Sequence, residues 1–389
     1  MTTSPEQFPG YPRVGGRPGV RNHLLVLSAT GLTGPTARRI AAQVPGALVI
    51  CVPWDTGLLG EDRAVNRRAL GRFVTHPNVG GVLIIGGNPP LVDELAEQST
   101  ASGRLVEALT LDSCGHDAFT LTANGVRAAA RLRHALSRVA RAPVPTRDLF
   151  LGLECGRSDP SSGLVSNPLL GLMADRVADL GGTAVIGETT EWLGAEHLLS
   201  ARGATPEVQQ AIREAVLRRE RRAVEAGMDL LGNNPGPTNI AAGLSTIEEK
   251  SLGNIAKSGH RPIQSVLGYG EEPTQQGVHV MDAAAYAPES LTGFTVAGAQ
   301  LICFTTGVGN SYVNLLCPTI KVSANPESAE RLKEQLDFDA HAVFHGREAL
   351  EAAADRLWAT LLEVAGGALT WGEVYAEGDE VVSRYGAAL

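Results

Sequence analysis

Short apolar runs alternate with longer amphipathic segments along the first part of the chain. Four runs rich in Val, Ile and Leu have the length of buried strands, at 23–29, 47–54, 81–87 and 104–111. Four segments with helical periodicity follow them, at 35–44, 61–74, 91–100 and about 118–141. Strands that are apolar throughout are typical of a sheet covered by helices on both faces. The pattern predicts an N-terminal α/β domain over residues 1–141 with a mostly parallel sheet.

The same alternation returns after residues 142–148 (APVPTRD), which have the composition of a linker. Its predicted strands and helices lie at 149–155, 169–181, 183–189, 205–231, 300–307, 318–325 and 348–365. Between Asn233 and about Ser290 the periodicity gives way to Gly, Pro, Asn and Ser, and long loop-rich stretches are more often functional than idle. We therefore predict a C-terminal α/β catalytic domain over 149–389, with mostly parallel sheets flanked by helices in both domains.

The charge and hydropathy of the chain argue against nucleic-acid and membrane partners. The 389 residues carry a net charge of −9, and the arginines of Arg213–Arg222 are interspersed with glutamates, which indicates a solvated helix face rather than a nucleic-acid site. No run approaches the ~18 to 20 apolar residues that span a bilayer, and the N-terminus lacks a signal peptide's pattern. Five cysteines stand singly, without CxxC. We expect a cytoplasmic protein with reduced thiols and no nucleic-acid or membrane partner.

Nucleotide binding is weakly indicated. The first strand-to-helix turn, SATGLTGPT (28–36), lacks the G-x-G-x-x-G spacing, and Asp55 is the sole acidic candidate near the end of the next strand. A plain tight turn explains the segment better. No P-loop, HExxH or GxSxG motif occurs.

Polar side chains concentrate after two predicted strands of the second domain. ECGRSDPSSGLVSNP (154–168) presents Cys155, Ser158, Asp159 and Asn167, and residues just past the carboxyl end of a parallel strand face the crevice where ligands bind. The alternative is a polar strand-to-helix loop without a function. So many different polar groups after one buried strand favour a binding site.

The next predicted strand ends in GETTEWLGAEHLL (187–199), with Glu188, Glu191, Glu196 and His197. Carboxylates and an imidazole beside a strand end can ligate a divalent metal or act as acid and base. The alternative is that the glutamates cap the following helix.

Later segments add further candidates. Residues 233–262 carry Asn239 and Lys250, and a lysine near carboxylates can anchor a substrate carboxylate or serve as a base. The stretches 304–310 and 318–325 supply Thr305, Thr306, Asn310 and Lys321. Glycine-rich turns there leave backbone N–H groups free to hold an anion.

Seven stretches together resemble one known family. In chain order they are GRPGVRN (16–22), ECGRSDPSSGLVSNP (154–168), GGTAVIGETTEWLGAEHLL (181–199), NNPGPTNIAAGLSTIEEKSLGNIAKSG (233–259), MDAAAYAPESLTG (281–293), AGAQLICFTTGVGN (297–310) and PTIKVSAN (318–325). The chain resembles the altronate and galactarate dehydratases, with the large subunit of sulfolactate sulfo-lyase as a relative. The stretches cover nearly the whole chain, and jointly they are highly specific.

The resemblance implies a lyase that removes water, or sulfite, from a small 2-hydroxy acid such as a sugar acid. It implies a divalent metal, Fe²⁺ first, with Mn²⁺ and Mg²⁺ as alternatives. We assign Cys155, Glu188 and Glu191 to the metal by residue type and location. His197 or Lys250 is the predicted base, and Lys321 a catalytic lysine that also grips the substrate carboxylate. The predicted substrate-binding residues are Arg21, Asn22, Ser158, Asp159, Asn167, Asn239, Thr305, Thr306 and Asn310.

Three departures from the family pattern leave alternatives open. The small β-rich N-terminal module of the long dehydratases is absent, which predicts a separate small β-rich subunit; a homo-oligomer is also expected. VPWDTG (52–57) and GGNPPLV (86–92) lack the cysteines of typical members, and LDSCGHD (111–117) introduces a cysteine and a histidine. The alternatives are a sulfo-lyase and a non-catalytic sugar-acid-binding homologue. A nucleotide-dependent oxidoreductase would rest on the α/β pattern alone.

Overall fold

The computed structural model describes residues 7–54, 56–229 and 234–386, so Asp55 and Asn233 lie outside it. The described residues form two compact units. The N-terminal unit contains Phe8–Val144 and the described part of the tail from Asp379, and the C-terminal unit contains Gln7 and Pro145–Gly378. The predicted second domain ran to residue 389, whereas the structure groups the tail with the first unit.

The N-terminal unit is built on a parallel sheet. Its strands are β1 (Gln7–Gly10), β2 (His23–Ser28), β3 (Ala47–Cys51), β4 (Val79–Gly86), β5 (Leu105–Thr110) and β6 (Ala142–Pro145). In the described chain, four of them pair in the order β3-β2-β4-β5, and β1 pairs with β6. The predicted linker at 142–148 thus contains strand β6, followed by a 3₁₀ turn at Thr146–Asp148.

Four helices cover this sheet on both faces: α1 (Gly34–Gln43), α2 (Gly60–Thr75), α3 (Pro89–Ala101) and α4 (Ala118–Leu136). The packing follows the apolar positions of the helices. Ile40 of α1 and Leu132 of α4 are buried against Leu24 and Leu83 of the strands. Because both faces of the sheet are covered, the strands read as continuous apolar runs in the sequence.

The C-terminal unit contains a larger parallel sheet. Its strands are β7 (Phe150–Cys155), β8 (Thr183–Ile186), β9 (Ile263–Leu267), β10 (Gly277–Met281), β11 (Leu301–Thr305), β12 (Val313–Asn314), β13 (Thr319–Ser323), β14 (Phe338–Asp339) and β15 (Gly378–Asp379). Among the described residues the seven-stranded order is β14-β13-β11-β7-β8-β10-β9, and β12 pairs with β15. Strand β7 therefore lies inside the sheet, and β8 is its neighbour.

The helices of this unit are α5 (Asn167–Asp179), α6 (Glu196–Ser200), α7 (Pro206–Glu225), α8 (Pro237–Ala241), α9 (Ile247–Ile255), α10 (Ala287–Ala297), α11 (Pro326–Arg331), α12 (His341–Phe344), α13 (Leu350–Ala365) and α14 (Trp371–Tyr375). No helix within the described ranges combines the length and apolar character needed to cross a bilayer.

The predicted fold class, α/β with parallel sheets flanked by helices, is confirmed. The loop-rich interpretation of 233–290 is wrong for much of that stretch. Strands β9 and β10 and helices α8 and α9 lie within it. Glycine, proline and glutamine separate these short elements, so the sequence shows little of their periodicity. The strands are fixed by pairing instead: β10 pairs with the distant β8, and β9 pairs with β10.

Candidate metal centre

Two neighbouring strands of the larger sheet end side by side and bring acidic groups together. Every residue of β7 is buried, and Cys155 is its last residue. The adjacent β8 ends at Ile186, and Glu188 follows two residues later. Because parallel strands end at the same edge of the sheet, these two side chains meet in the region where α/β proteins bind ligands.

The backbone turns sharply after β8. Glu188 has φ 69° and ψ 49°, in the left-handed region, which costs an L-residue with a side chain roughly 1–2 kcal/mol. The chain continues into a 3₁₀ turn at Thr189–Trp192, where the Glu191 N–H donates to the Glu188 carbonyl at 2.7 Å. The turn directs both carboxylates towards Cys155. Non-glycine residues held in this region cluster at functional sites.

The thiol and the two carboxylates form a compact triad. One ligand atom from each of Cys155, Glu188 and Glu191 lies within 4.8 Å of the others, and all three residues are buried. The Cys155 Sγ is 3.5 Å from Glu188 Oε1 and 3.8 Å from Glu191 Oε2. These three side chains are the ones that the sequence assigned to a metal.

Two lysines hold the other carboxylate oxygens. Lys250 Nζ donates to Glu191 Oε1 at 2.7 Å, and Lys257 Nζ donates to Glu188 Oε2. Each carboxylate thus has one oxygen on an ammonium group and the other turned towards the thiol. Asn254 Nδ2 lies between them and donates to Glu191 Oε2 at 2.9 Å and to Cys155 Sγ at 3.4 Å.

Helix α9 supplies Lys250 and Asn254, and the 3₁₀ turn that follows it at Ala256–Ser258 supplies Lys257. Thr246 caps the helix by accepting the Glu249 N–H at 3.2 Å. Lys250, Asn254 and Lys257 follow at a spacing of four and then three residues, which places side chains on the same side of a helix.

Burial governs the protonation of the cluster. Burial disfavours the ammonium of Lys257, but the surrounding acidic groups, with Cys155 and Glu188 foremost, outweigh it and raise the lysine's pKa. Burial, followed by the charge of Glu188, raises the pKa of the Cys155 thiol and raises that of the Glu154 carboxyl well above its usual range. Burial also raises the pKa of the Glu188 carboxyl, against the opposing charge of Lys257.

The triad fits a divalent transition metal. One sulfur and two carboxylate oxygens form a mixed donor set, which suits iron, zinc or manganese better than the all-oxygen shell preferred by magnesium. The buried Asn254 Oδ1 has no hydrogen-bond partner among the described residues, and neither has the Ser158 Oγ near the same strand end. Unsatisfied buried oxygens of this kind mark places where water, an ion or a ligand binds.

A second layer of contacts holds the turn that carries Glu188 and Glu191. Thr189 Oγ1 donates to Asp282 Oδ1 at 3.0 Å, and Asp282 accepts from Arg218 at 2.6 Å and from Arg219 at 2.9 Å. The two arginines lower the pKa of Asp282 against the opposing effect of its burial. At these two positions the arginine cluster of α7, which we predicted to be a solvated face, forms ion pairs with the loop beside the triad.

Several predicted substrate-binding side chains hold loops of this unit together. Thr305 Oγ1 donates to Asn167 Oδ1 at 2.6 Å, and Asn239 Nδ2 donates to the Ser158 carbonyl at 2.8 Å. Asp159 accepts from its neighbours Ser161 and Ser162 and from the distant Asn325. Thr306 and Asn310 bond locally, accepting from the Gly309 N–H and the Tyr312 N–H. Their contact with substrate stays a prediction.

The other predicted residues lie in different settings. Arg21 and Asn22 belong to the N-terminal unit, where Arg21 donates to the Val20 carbonyl at 2.9 Å and Asn22 accepts from Arg13 at 3.0 Å. His197 is exposed on α6, and its side chain makes no hydrogen bond or ion pair with the triad in the described structure. Only Lys250, of the three predicted catalytic residues, contacts the triad through a described ion pair.

Lys321 is enclosed within the unit. Its Nζ donates to the Tyr312 carbonyl and lies 3.6 Å from the centroid of the Phe304 ring. Burial lowers the pKa of Lys321 well below its usual value, against the charges of Asp337 and Glu154. Its surroundings therefore favour an uncharged amine, the opposite of those around Lys257.

Sequence reasoning assigned no role to Glu154, Asn254 or Lys257. Glu154 precedes Cys155 on β7 and accepts a hydrogen bond from Ser290 at 2.8 Å, while its Oε1 is buried without a described partner. The helical spacing of Lys250, Asn254 and Lys257 was visible in IEEKSLGNIAKS and would have identified the last two. The Gly, Pro and Asn residues that surround this short helix obscure its spacing, and the sequence therefore predicts a loop there.

Replacing Lys257 by methionine should reduce stability strongly. The ammonium is fully buried against Glu188, so its loss leaves a buried carboxylate without a counter-charge. We expect Lys257→Met to lower the free energy of unfolding by about 3–5 kcal/mol, measured by urea denaturation. Adding Glu188→Gln should recover part of the loss. A double variant no more stable than Lys257→Met would contradict the ion pair.

Comparison with known proteins agrees with the resemblance found in the sequence. Residues 146–387 match the family described as D-galactarate/altronate dehydratase, C-terminal. Residues 10–137 match the second domain of D-galactarate dehydratase/altronate hydrolase. The two matches follow one another along the chain and account for most of it.

Individual relatives agree with these matches. The chain is 34% identical to (2R)-sulfolactate sulfo-lyase subunit beta of Chromohalobacter salexigens, covering 97% of each protein. It is 31% identical to the altronate dehydratase of Escherichia coli, over 93% of this chain and 74% of that protein. It is also 31% identical to galactarate dehydratase (L-threo-forming) of Escherichia coli, over 77% of this chain and 59% of that enzyme. The chain belongs to the D-galactarate/altronate dehydratase family.

Proposed function

We propose that the protein is a lyase that eliminates water from a small hydroxylated carboxylic acid, such as a sugar acid, by metal-assisted α-proton abstraction and β-elimination. The observation that carries the proposal is the buried triad of Cys155, Glu188 and Glu191, with Lys250 and Lys257 on the outer carboxylate oxygens. Family membership supports the same class of chemistry.

The residue types answer the main difficulty of this reaction. Removing a proton next to a carboxylate creates an enediolate with two negative charges, which needs preorganised positive charge. A divalent metal held by Cys155, Glu188 and Glu191 would act as a Lewis acid towards the substrate oxygens. The ammonium groups of Lys250 and Lys257 keep both carboxylates oriented, much as partners of metal ligands do elsewhere.

The proton-transfer roles follow from position. Lys250, predicted from the sequence as one of two possible bases, is ion-paired with Glu191 and 10% exposed. We therefore propose a different role for its ammonium, protonation of the departing hydroxyl. Lys321 lies in an environment that favours the free amine, so it is our candidate for the base that abstracts the α-proton. The alternative role is binding of the substrate carboxylate. His197 is an alternative base, and its residue type is what supports this role.

Sulfite release is the second candidate reaction. It is supported by the relative named as a sulfolactate sulfo-lyase subunit, which matches this chain along 97% of both lengths. Sulfolactate is also a 2-hydroxy acid, and the elimination differs in the leaving group alone. The same metal and lysines would serve both reactions.

A separate small β-rich subunit is part of the proposal. The relative's designation as subunit beta supports it, since such a subunit implies at least one other. Leu164 and Leu252 are 70% and 51% exposed. Each follows or precedes a glycine, and these two glycines, Gly163 and Gly253, approach each other closely. Gly253 lies on α9, one turn after Lys250. Exposed apolar side chains grouped in this way are typical of an interaction surface.

We expect the chain alone to turn over its substrate poorly and to become active when the small subunit is added. Water admitted to an uncovered site would weaken every electrostatic contact with the enediolate. The assay is turnover of altronate, galactarate, sulfolactate and shorter 2,3-dihydroxy acids, with water loss and sulfite release recorded separately.

The variants for this assay are matched. Leu164→Asp should weaken activation by the small subunit, whereas Leu369→Asp, at a leucine 64% exposed elsewhere in the unit, should not. Full activity from the chain alone would remove the subunit from the proposal. No turnover of any acid by the metal-loaded complex would favour the non-catalytic sugar-acid-binding alternative.

A further inference from the structure

A cavity of about 320 Å³ lies within the N-terminal unit. Its wall combines the loop after β3, including Thr56, with helix α2 and the start of α3 at Asn88. It is therefore at the carboxyl edge of the parallel sheet, where open α/β sheets bind their ligands. Its volume is at the lower end of the range for small-molecule sites.

An unsatisfied buried donor faces this cavity. Asn66 of α2 lines it and is 3% exposed, and its Nδ2 has no hydrogen-bond partner among the described residues. A buried amide N–H left without an acceptor is unfavourable, because it has lost its hydrogen bond to water. A ligand that brings an acceptor to this position would replace that hydrogen bond.

Cationic side chains on the same helix line the cavity beside Asn66. Arg63 and Arg67 are one helical turn apart, and both belong to its wall. The Arg63 guanidinium has no ion pair or hydrogen bond in the described part of the chain. Arg67 Nη2 is 3.1 Å from Glu94 Oε2, in a pair that is nearly half exposed on both sides and therefore weak.

The described residues that line the cavity include no acidic side chain. The polar ones are Thr56, Arg63, Asn66, Arg67 and Asn88. Asp62, next to Arg63 in the sequence, is buried and accepts from the backbone N–H groups of Tyr385, at 3.0 Å, and Gly386, at 2.8 Å. The described polar groups left for a ligand are thus mainly donors and cations.

We propose that this cavity binds a small oxyanion ligand, a carboxylate or a phosphate, through Arg63, Arg67 and the Asn66 amide. Guanidinium groups bind both anions through paired N–H donors, so the two share one recognition chemistry. The inference goes beyond the proposed lyase activity and does not depend on it, since every group that carries it belongs to the N-terminal unit.

The test is calorimetric titration of the full chain with inorganic phosphate and, separately, with malonate. We expect saturable binding of at least one probe, and Arg63→Gln should weaken it about tenfold or more, because a charge-assisted hydrogen bond is lost. Arg68→Gln is the matched control, since Arg68 is exposed on the same helix and does not line the cavity.

The titrations distinguish phosphate binding, malonate binding and the absence of an anion site. Binding of phosphate alone, or of malonate alone, identifies the anion, provided that Arg63→Gln weakens it and Arg68→Gln does not. Asn66→Asp adds a repulsive carboxylate of the same shape and should abolish binding, while thermal unfolding checks that the variant folds. Equal binding by wild type and Arg63→Gln, or no binding of either probe up to about 10 mM, would overturn the proposal.

Discussion

Removal of the divalent metal should abolish turnover of the hydroxy-acid substrate while leaving the protein folded. The enediolate carries two negative charges, and the lysines of the cluster are already engaged with Glu188 and Glu191. Without the metal, burial raises the pKa of Cys155 and of Glu154, and both lysines are paired with carboxylates, so the cluster can persist but offers no uncommitted positive charge. The measurement is turnover after anaerobic chelation, with elemental analysis of the same sample.

Re-addition of metals is the control for this prediction. Fe²⁺ should restore activity, with Mn²⁺ next, and Mg²⁺ should be the weakest because it disfavours a thiolate ligand. Circular dichroism before and after chelation should be unchanged. Full turnover in protein shown to be free of metal would contradict the metal-assisted reaction.

Cys155→Ser should keep the fold and lower turnover by at least about 100-fold, since even residues that only support a metal ligand alter activity by one to two orders of magnitude. Cys155 is the residue of the triad that both carboxylates face, and serine removes the sulfur with almost no change in shape. The measurements are turnover at saturating Fe²⁺ and bound metal after desalting.

A second buried cysteine provides the matched control. Cys303 lies on β11, where burial raises the pKa of its thiol to about 12, and it does not belong to the triad. Cys303→Ala should cost stability through a small cavity and leave turnover intact. If Cys155→Ser has full turnover, Cys155 is a small buried apolar side chain and not a ligand.

The triad could be predicted because its signal is local. Cys155 and Glu188 each follow a short apolar run, and the rule that parallel strands end at one edge brings them together. Glu191 is three residues from Glu188, so it follows the same strand. A residue's distance from a strand end is readable in the sequence, whereas its hydrogen-bond partners are not.

The second layer could not be predicted in the same way. Asn254 reaches the triad because α9 packs beside the turn at Thr189–Trp192, and Lys257 reaches it from the 3₁₀ turn at Ala256–Ser258, which packs against β7 and β8. Both placements depend on pairing between strands distant along the chain. Asp282 pairs with Arg218 and Arg219 of another helix, more than 60 residues away. The spacing of arginines along a helix is the same whether they face solvent or pair with a distant carboxylate, so the sequence does not separate the two cases.

The central claim is that Cys155, Glu188 and Glu191 bind one divalent metal through the cysteine sulfur. Its most direct test is titration of metal-free protein with Co²⁺, followed by absorption spectroscopy. We expect stoichiometric binding with an intense near-ultraviolet sulfur-to-cobalt charge-transfer band. That band should vanish in Cys155→Ser and persist in Cys303→Ala. Failure to bind Co²⁺ stoichiometrically, or an unchanged band in Cys155→Ser, would contradict metal binding by this triad through the sulfur.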